Sequence, residues 1–417
     1  MYPKSHEPIA VARAACADRT GMAKLAKLAF DGADLRPMLR ELIAKLHAGT
    51  AEAGEGLDLS LIAQLLGDKQ TGLAIQHEVL KSHQLFRLPC ATKTPRLRVL
   101  ALAAETDMGS NMPIEFLLER SDVELMVLYV LPEVELPVPL PDHDVAIVIA
   151  SDSDDCREAL RRIDLMAPSW PSPLLNPPKR VFNLDRDKLH LLLKGVEGLE
   201  IPATVAVSRE KLSLVSKGAE TIDRIESDLG FPLIVRPRGS HAGVGLAKID
   251  DTAALSGYLR EREEREFFVS RFVDYSSADG QFRKYRIVFI DGQPFACHMA
   301  IARRWDIWYL NAGMSDSPLK RLEEETFMRA FDVGFGRRHC SALSQVVERL
   351  GLDYLTIDCA ETKNGSLLIF EADNTAVVHN MDMPHVFPYK PPQMHKIFDA
   401  FVAMLNDRVR RARERAA

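Results

Sequence analysis

The sequence is poor in the features that mark secreted, membrane or nucleic-acid-binding proteins. Its six cysteines (Cys16, Cys90, Cys156, Cys297, Cys340 and Cys359) are scattered, and none forms a Cys-x-x-Cys pair. Neither a zinc ribbon nor a disulfide framework is indicated, and a reducing cytosol suits the spacing. Basic charge is not in surplus: 53 Lys and Arg stand against 59 Asp and Glu, a net charge of −6. That argues against a general nucleic-acid binder. No apolar run exceeds the length of a strand, which is too short to span a bilayer. The start, with Lys4, His6 and Glu7, lacks the charged-then-apolar run of a signal peptide. A soluble, cytoplasmic chain without membrane or nucleic-acid partners is therefore expected.

What is present is a chain of 417 residues, 47% of them hydrophobic. That length suggests about two to four domains, and that composition can bury a sizeable core. Residues 1–92 read as helical: Leu25, Leu28, Leu35, Met38, Leu39, Leu42, Ile43 and Leu46 recur at helical spacing. Further helices are expected over Leu57 to Leu66 and Thr71 to Gln84, with Ala53-Gly54-Glu55-Gly56 as a separator. Residues 93–182 alternate strands (Arg96 to Ala103, Val123 to Val130, Val145 to Ala150) with helices (Pro113 to Arg120, Asp154 to Leu165). Such alternation argues for a parallel, doubly wound α/β unit. A proline-rich linker leads to a short strand expected at Arg180 to Phe182. The remainder, 183–417, mixes both types: a helix over Arg209 to Asp228, a hairpin around Asp291-Gly292, and a C-terminal helix over Met394 to Ala416.

Three segments carry chemistry. Between two expected strands lies Arg236-Pro237-Arg238-Gly239-Ser240-His241-Ala242-Gly243-Val244-Gly245. Glycines let backbone amides approach phosphate oxygens, and no helix follows, so this is neither a Rossmann nor a P-loop turn. It reads as a hairpin flap over a nucleotide or as a structural turn. Asp358 sits on one strand, with Glu371 and Asp373 ending the next. Glu371 and Asp373 lie two apart and share a strand face. Carboxylates crowded on one face suit a divalent cation, and oxygen-only ligands favour magnesium. The other reading is an exposed acidic strand end. The third segment is basic: Arg283, Lys284, Arg286, then Arg303, Arg304 and Asn311. Arginines at strand ends suit phosphate or carboxylate, while Arg283 and Arg304 read as ordinary surface charge.

In this order the segments resemble the ATP-grasp superfamily, in the manner of glutathione synthetases and ribosomal-protein glutamate ligases. The resemblance covers roughly Asn183 to Met383 and leaves the first ninety or so residues outside. It implies an α/β (α+β) fold: an ATP-grasp domain over 183–417 with a nucleotide lid at about 204–272, preceded by a Rossmann-like domain. Lys188 matches a phosphate-contacting lysine, and Arg236 stands where the family usually has lysine. Gly239, Ser240, Gly243 and Gly245 match the flap. Ser270, Arg271, Phe272 and Val273 match the hinge whose backbone meets adenine. Arg286, Arg303 and Asn311 match residues around the transferred phosphate. Asp358, Glu371 and Asp373 match the magnesium ligands, Asp373 replacing the usual Asn.

The resemblance implies ATP with Mg2+ (or Mn2+) as cofactors and a carboxylate–amine ligase acting through an acyl phosphate. The substrate is expected to be an amino acid, a peptide or a small carboxylate. A homo-oligomer and a protein partner on the N-terminal helices are further expectations. His298 and His379 are the candidates for a general base. Rival readings are a phosphotransferase on the same fold and a non-catalytic ATP-binding scaffold.

Overall fold

The computed structural model describes residues 16–240 and 243–417. Lys4, His6 and Glu7, and the flap residues His241 and Ala242, lie outside the described residues. By contacts the chain forms two compact units. The first comprises the described residues up to Ala150 together with Asp155–Leu175 and Leu405–Ala417. The second comprises Ser151–Asp154 and Asn176–Met404. The helices of the first ninety residues and the α/β layer share the first unit.

In that unit β1 (Ala17–Asp18) leads to four helices: α1 (Met22–Phe30), α2 (Arg36–His47), α3 (Ala53–Leu65) and α4 (Lys69–Leu80). The apolar spacing from Leu25 to Leu46 belongs to two helices, broken at Asp31 and Gly32, where φ is +81°. Residues 53–56 are not a separator but the first turn of α3. Almost all of α3 is buried, and close packing requires its glycines. A Cβ on Gly54 would lie 1.9 Å from the Asp18 carbonyl oxygen, and one on Gly56 would lie 2.6 Å from Val79. Glu55 reaches back to the Glu52 N–H at 3.0 Å, as in a capping box. Leu25, Leu35, Leu42, Leu59, Leu61 and Ile62 form the helical core.

Strands β2 (Leu85–Arg87), β3 (Leu97–Ala103), β4 (Val123–Tyr129) and β5 (Val145–Val148), helix α5 (Arg157–Met166) and strand β6 (Leu174–Leu175) complete the unit. The sheet order is β1-β2-β4-β3-β5-β6, parallel throughout except for the β2–β4 pair. β3 and β5 are buried nearly end to end, as parallel strands covered on both faces are. The helix expected over Pro113 to Arg120 is only a short 3-10 turn at Ile114–Phe116.

The second unit begins with α6 (Pro178–Val181), where a strand at Arg180 to Phe182 was expected; proline at the first helical position favours the helix. Next come α7 (Arg186–Leu193), β7 (Leu199–Glu200), β8 (Thr204–Ser208) and α8 (Arg209–Ser216). Helix α8 stops well before Asp228 because Gly218, at φ +70°, follows its end. β9 (Leu233–Pro237), β10 (Ala247–Ile249), α9 (Thr252–Arg260) and β11 (Glu266–Arg271) complete a four-stranded sheet, order β10-β9-β11-β8. Leu233, Val235, Phe267 and Val269 are its fully buried face. Each such side chain contributes about 1.5–3 kcal/mol by leaving water.

β12 (Phe282–Ile290) and β13 (Gln293–Ala302) form the expected hairpin. Asp291 (φ +47°) and Gly292 (φ +80°) make a turn with both central residues left-handed, matched to strand twist. After α10 (Pro318–Arg329), α11 (Phe335–Arg338) and α12 (Cys340–Leu350), strands β14 (Tyr354–Glu361) and β15 (Leu367–Asp373) complete a five-stranded sheet, order β13-β12-β14-β15-β7. Helix α13 (Lys390–Ala416) ends the chain; its Phe401 meets buried Tyr354 edge-on at 5.7 Å. Among the described residues no helix is long and apolar enough to cross a membrane.

Candidate active site

Four residues stand in one row across the five-stranded sheet. His298 of β13 is opposite Arg286 of β12, Arg286 is opposite Asp358 of β14, and Asp358 is opposite Glu371 of β15. Directly opposed residues share a sheet face. Two β-bulges flank the row. The register shifts so that Cys297 on β13 and Phe370 on β15 have no opposite number. Bulges of this kind re-aim side chains beside functional sites.

Asp358 is buried and carries two cations. Arg286 grips it with Nε–Oδ1 at 2.7 Å and Nη2–Oδ2 at 3.0 Å, and Lys284 Nζ lies 2.7 Å from Oδ2. Burial pushes the Asp358 carboxyl up, but the Arg286 and Lys284 charges outweigh it and hold the group well below the usual carboxylate range. Burial likewise raises Glu371, and Arg186 overcomes it. Arg186 Nη2 pairs with Glu371, and its Nη1 donates to the carbonyl of the bulged Phe370 at 3.1 Å. Arg186 stands at the start of α7, capped by Asp185, whose carboxylate accepts the Arg186 N–H at 2.9 Å. Arg236, ending β9 at the base of the glycine-rich hairpin, donates Nε–H to Ser240 Oγ at 3.2 Å and a second hydrogen bond to the Ser240 carbonyl. Burial and then the neighbouring Arg186 lower Arg236 to about 10.

Arg186, Arg236, Lys284 and Arg286 thus surround the ionised Asp358 and Glu371. Burial and then the nearby Glu371 raise Asp373 above its ordinary value, although Thr375 donates its N–H at 2.6 Å and its hydroxyl at 2.8 Å. Asp152 is pushed up to about 7 by burial, then by Asp373 and Asp185. The four cations about these carboxylates are of the kind that bind phosphate oxygens.

The structure brings together Arg286, Asp358, Glu371, Asp373 and Arg236, and it moves other expectations. Lys188 is exposed; its Nζ donates to the Phe182 carbonyl at 3.0 Å. The α7 cation that reaches the five-stranded sheet is Arg186, two residues earlier, through Glu371 and the Phe370 carbonyl. Asn311 is a capping residue: its Oδ1 accepts the Trp308 N–H at 3.1 Å, and its Nδ2 donates to the Asp306 carbonyl at 3.0 Å. Arg303 is exposed and has no ion pair among the described residues. Arg283 is not plain surface charge but pairs with Asp279 and Glu323.

In the hinge, Ser270 and Arg271 are laddered within β11, Arg271 pairs with Glu200 at 2.6 Å, and the Phe272 N–H donates to the Pro232 carbonyl at 2.8 Å. The Phe272 N–H is thus already engaged, and Val273 packs with the Tyr275 cluster. The flap glycines Gly239, Gly243 and Gly245 have φ of +72°, +74° and +70°, a conformation that suits a backbone cradle.

Among the described residues no three His, Cys, Asp or Glu gather as a ready metal cage. The reason is local: Arg286, Lys284 and Arg186 hold the oxygens of Asp358 and Glu371. The donor chemistry, hard oxygens on one sheet face, still suits Mg2+.

A second polar cluster adjoins the row. Glu324 of α10 is fully buried and accepts from the Met299 N–H at 3.1 Å, the Tyr309 hydroxyl at 3.2 Å and the Tyr389 hydroxyl at 2.6 Å. Lys390 lies 3.5 Å from Glu324 and 2.9 Å from Asp382. Sequence reading missed this cluster and α10 with it. Ser317-Pro318, a capping serine before a first-turn proline, was the available signal.

No protein-family model and no curated protein matches the chain. Solved structures similar to it include a RimK-domain ATP-grasp protein from Sphaerobacter thermophilus, at 19% identity, covering 75% of this chain and 99% of that one with a TM-score of 0.40. The VanG D-Ala:D-Ser ligase from Enterococcus faecalis is similar at 11% identity, 74% and 100% coverage and a TM-score of 0.44. The D-alanine–D-alanine ligase from Bacillus anthracis is similar at 13% identity, 77% and 100% coverage and a TM-score of 0.43.

Proposed function

We propose that the chain is an ATP-dependent ligase of the ATP-grasp kind, joining a carboxylate to an amine through an acyl phosphate. The supporting observation is the gathering of four cations, Arg186, Arg236, Lys284 and Arg286, about Asp358 and Glu371, with Arg236 at the base of a glycine-rich hairpin. Arg186 and Arg236 bind nucleotide phosphates, since guanidinium forks match phosphate geometry. Arg286 and Lys284 stabilise charge on the transferred phosphoryl group. The substrate carboxylate attacks the γ-phosphorus and ADP leaves; an amine then displaces phosphate from the acyl carbon. The amides of the flap glycines Gly239, Gly243 and Gly245 cover the phosphates and exclude water. Glu371 and Asp373 would hold Mg2+ (or Mn2+), whose charge would offset that of the phosphates. The substrate is an amino acid, peptide or small carboxylate, and the setting is cytoplasmic.

The test is ADP release from the purified protein with Mg·ATP and pooled amino acids, dipeptides and small carboxylates, beside Glu371→Gln. Amine-dependent release, lost in the variant, is expected. Release without any amine requirement would instead mean phosphotransfer. Nucleotide binding without turnover would mean a scaffold, and failure to bind ATP would sink the reading.

A further inference from the structure

His298 ends the cross-strand row, and nothing in the phosphate chemistry uses it. Its ring lies edge-on to Tyr309 at 4.8 Å between centroids. The side chain keeps some exposed surface, yet its Nδ1 is buried and has no hydrogen-bond partner among the described residues. A buried acceptor left without a hydrogen bond is unfavourable unless something pairs with it. The neighbouring polar groups are already matched. Arg286 forks to Asp358, and the Tyr309 and Tyr389 hydroxyls donate to Glu324. Lys390 donates to the Tyr309 hydroxyl and to Asp382, and His379 Nδ1 accepts the Met381 N–H at 3.1 Å. Of the two candidate histidines, His379 is engaged in its own loop, and His298 Nδ1 is a buried acceptor without a partner among the described residues.

We infer that His298 Nδ1 is the group that receives the incoming amine, accepting a hydrogen bond from its N–H and then its proton. This rests on the ligase reading above. The charged groups around the ring are Lys284 and Arg286 of β12, Asp358 of β14 and Lys390 of α13, with Glu324 of α10 behind Tyr309. Burial and then the Arg286 and Lys390 charges keep the imidazole unprotonated. The same cations favour the neutral, nucleophilic form of an amine bound beside it. In the step itself the amine lone pair forms the C–N bond to the acyl carbon. The C–O bond to phosphate breaks and its electron pair leaves on phosphate. One amine proton passes to Nδ1, and from there to the departing phosphate. The ring is returned neutral.

The test separates the two halves of the reaction. Hydroxylamine, which is largely unprotonated at neutral pH, traps the acyl phosphate as a hydroxamate. With pooled carboxylates and Mg·ATP, His298→Gln is expected to form hydroxamate at the wild-type rate. Its ADP release driven by pooled amino acids should fall about 10²–10⁴-fold, the usual worth of a positioned base, and added imidazole should partly restore it in His298→Ala. An unchanged amine-dependent rate in His298→Gln overturns the inference. So does an equal loss of hydroxamate and amine-dependent turnover, which would mean a structural role. A wild-type protein that forms no hydroxamate with any carboxylate overturns the ligase reading, and the inference with it.

Discussion

Arg286 and Asp358 form a closed fork across β12 and β14, with both carboxylate oxygens gripped, at 2.7 and 3.0 Å. Lys284 holds one of those oxygens as well, so the carboxylate is shared by two cations. Removing one partner of a buried pair strands the other. Asp358→Asn leaves two cations uncompensated and is expected to lower unfolding stability by about 3–5 kcal/mol. Arg286→Met leaves Asp358 with Lys284 and should cost less. Urea unfolding of the two variants checks the order; a larger loss in Arg286→Met would contradict the shared arrangement.

Nucleotide affinity should depend on Arg186 and not on Lys188. Losing a hydrogen-bonded charge is worth about 1.5–3 kcal/mol, or roughly 10–100-fold in Kd. Calorimetric titration with a hydrolysis-resistant ATP analogue should show that weakening for Arg186→Ala. Lys188→Ala, which loses only a contact to the Phe182 carbonyl, should bind as the wild type does. The reverse pattern would return the phosphate role to Lys188.

Asp152 makes stability fall as pH rises. Its folded carboxyl is raised to about 7 by burial, then by Asp373 and Asp185, against an ordinary value of about 3.9 in the unfolded chain. Between about pH 4 and 7 the folded state keeps a proton that the unfolded state has lost, so each rise in pH favours unfolding. Asp152→Asn removes this dependence. Its melting temperature should exceed that of the wild type at pH 8, with the gap closing towards pH 4. A gap that does not change with pH would count against the raised carboxyl.

The flap glycines should differ from one another. A Cβ on Gly245 would meet Pro237 Cδ at 2.6 Å, whereas one on Gly239 would have open space. Both have positive φ, so Gly239→Ala should cost the left-handed penalty alone, about 1–2 kcal/mol. Gly245→Ala adds the clash with the proline ring and should lower the melting temperature further. Equal shifts would mean that the hairpin relaxes around Pro237.

The longer strands of both larger sheets were legible because they are short apolar runs between turn residues, as at Leu97–Ala103 and Val145–Val148, whereas the two- and three-residue strands β1, β2, β6 and β7 were not. The row of Arg286, Asp358 and Glu371 was partly legible, since antiparallel strands joined by a short turn bring Asp358 and Glu371 side by side. Its partners were not. Arg186 could be separated from Lys188 only by the direction in which the first turn of α7 faces. Asn311 fits a phosphate-binding pattern in sequence, but its amide is used up within its own turn. Gly54 and Gly56 have the composition of a loop, and only the approach of Asp18 and Val79 shows them to be packing residues in a helix.

The bulges at Cys297 and Phe370 make the site sensitive to chain length in a way that substitution would not reveal. In a strand, one residue more or less reverses the face of everything beyond it. Deleting Phe370 would regularise β15 and turn Glu371 and Asp373, or the Leu367–Ile369 segment, through to the opposite face. Deleting Cys297 would do the same to His298 or to the start of β13. Replacing either bulged residue leaves the spacing intact. Variation at these two positions should therefore be broad in residue type and closed to insertion or deletion, so that the two bulges act as a reading frame for the row between them.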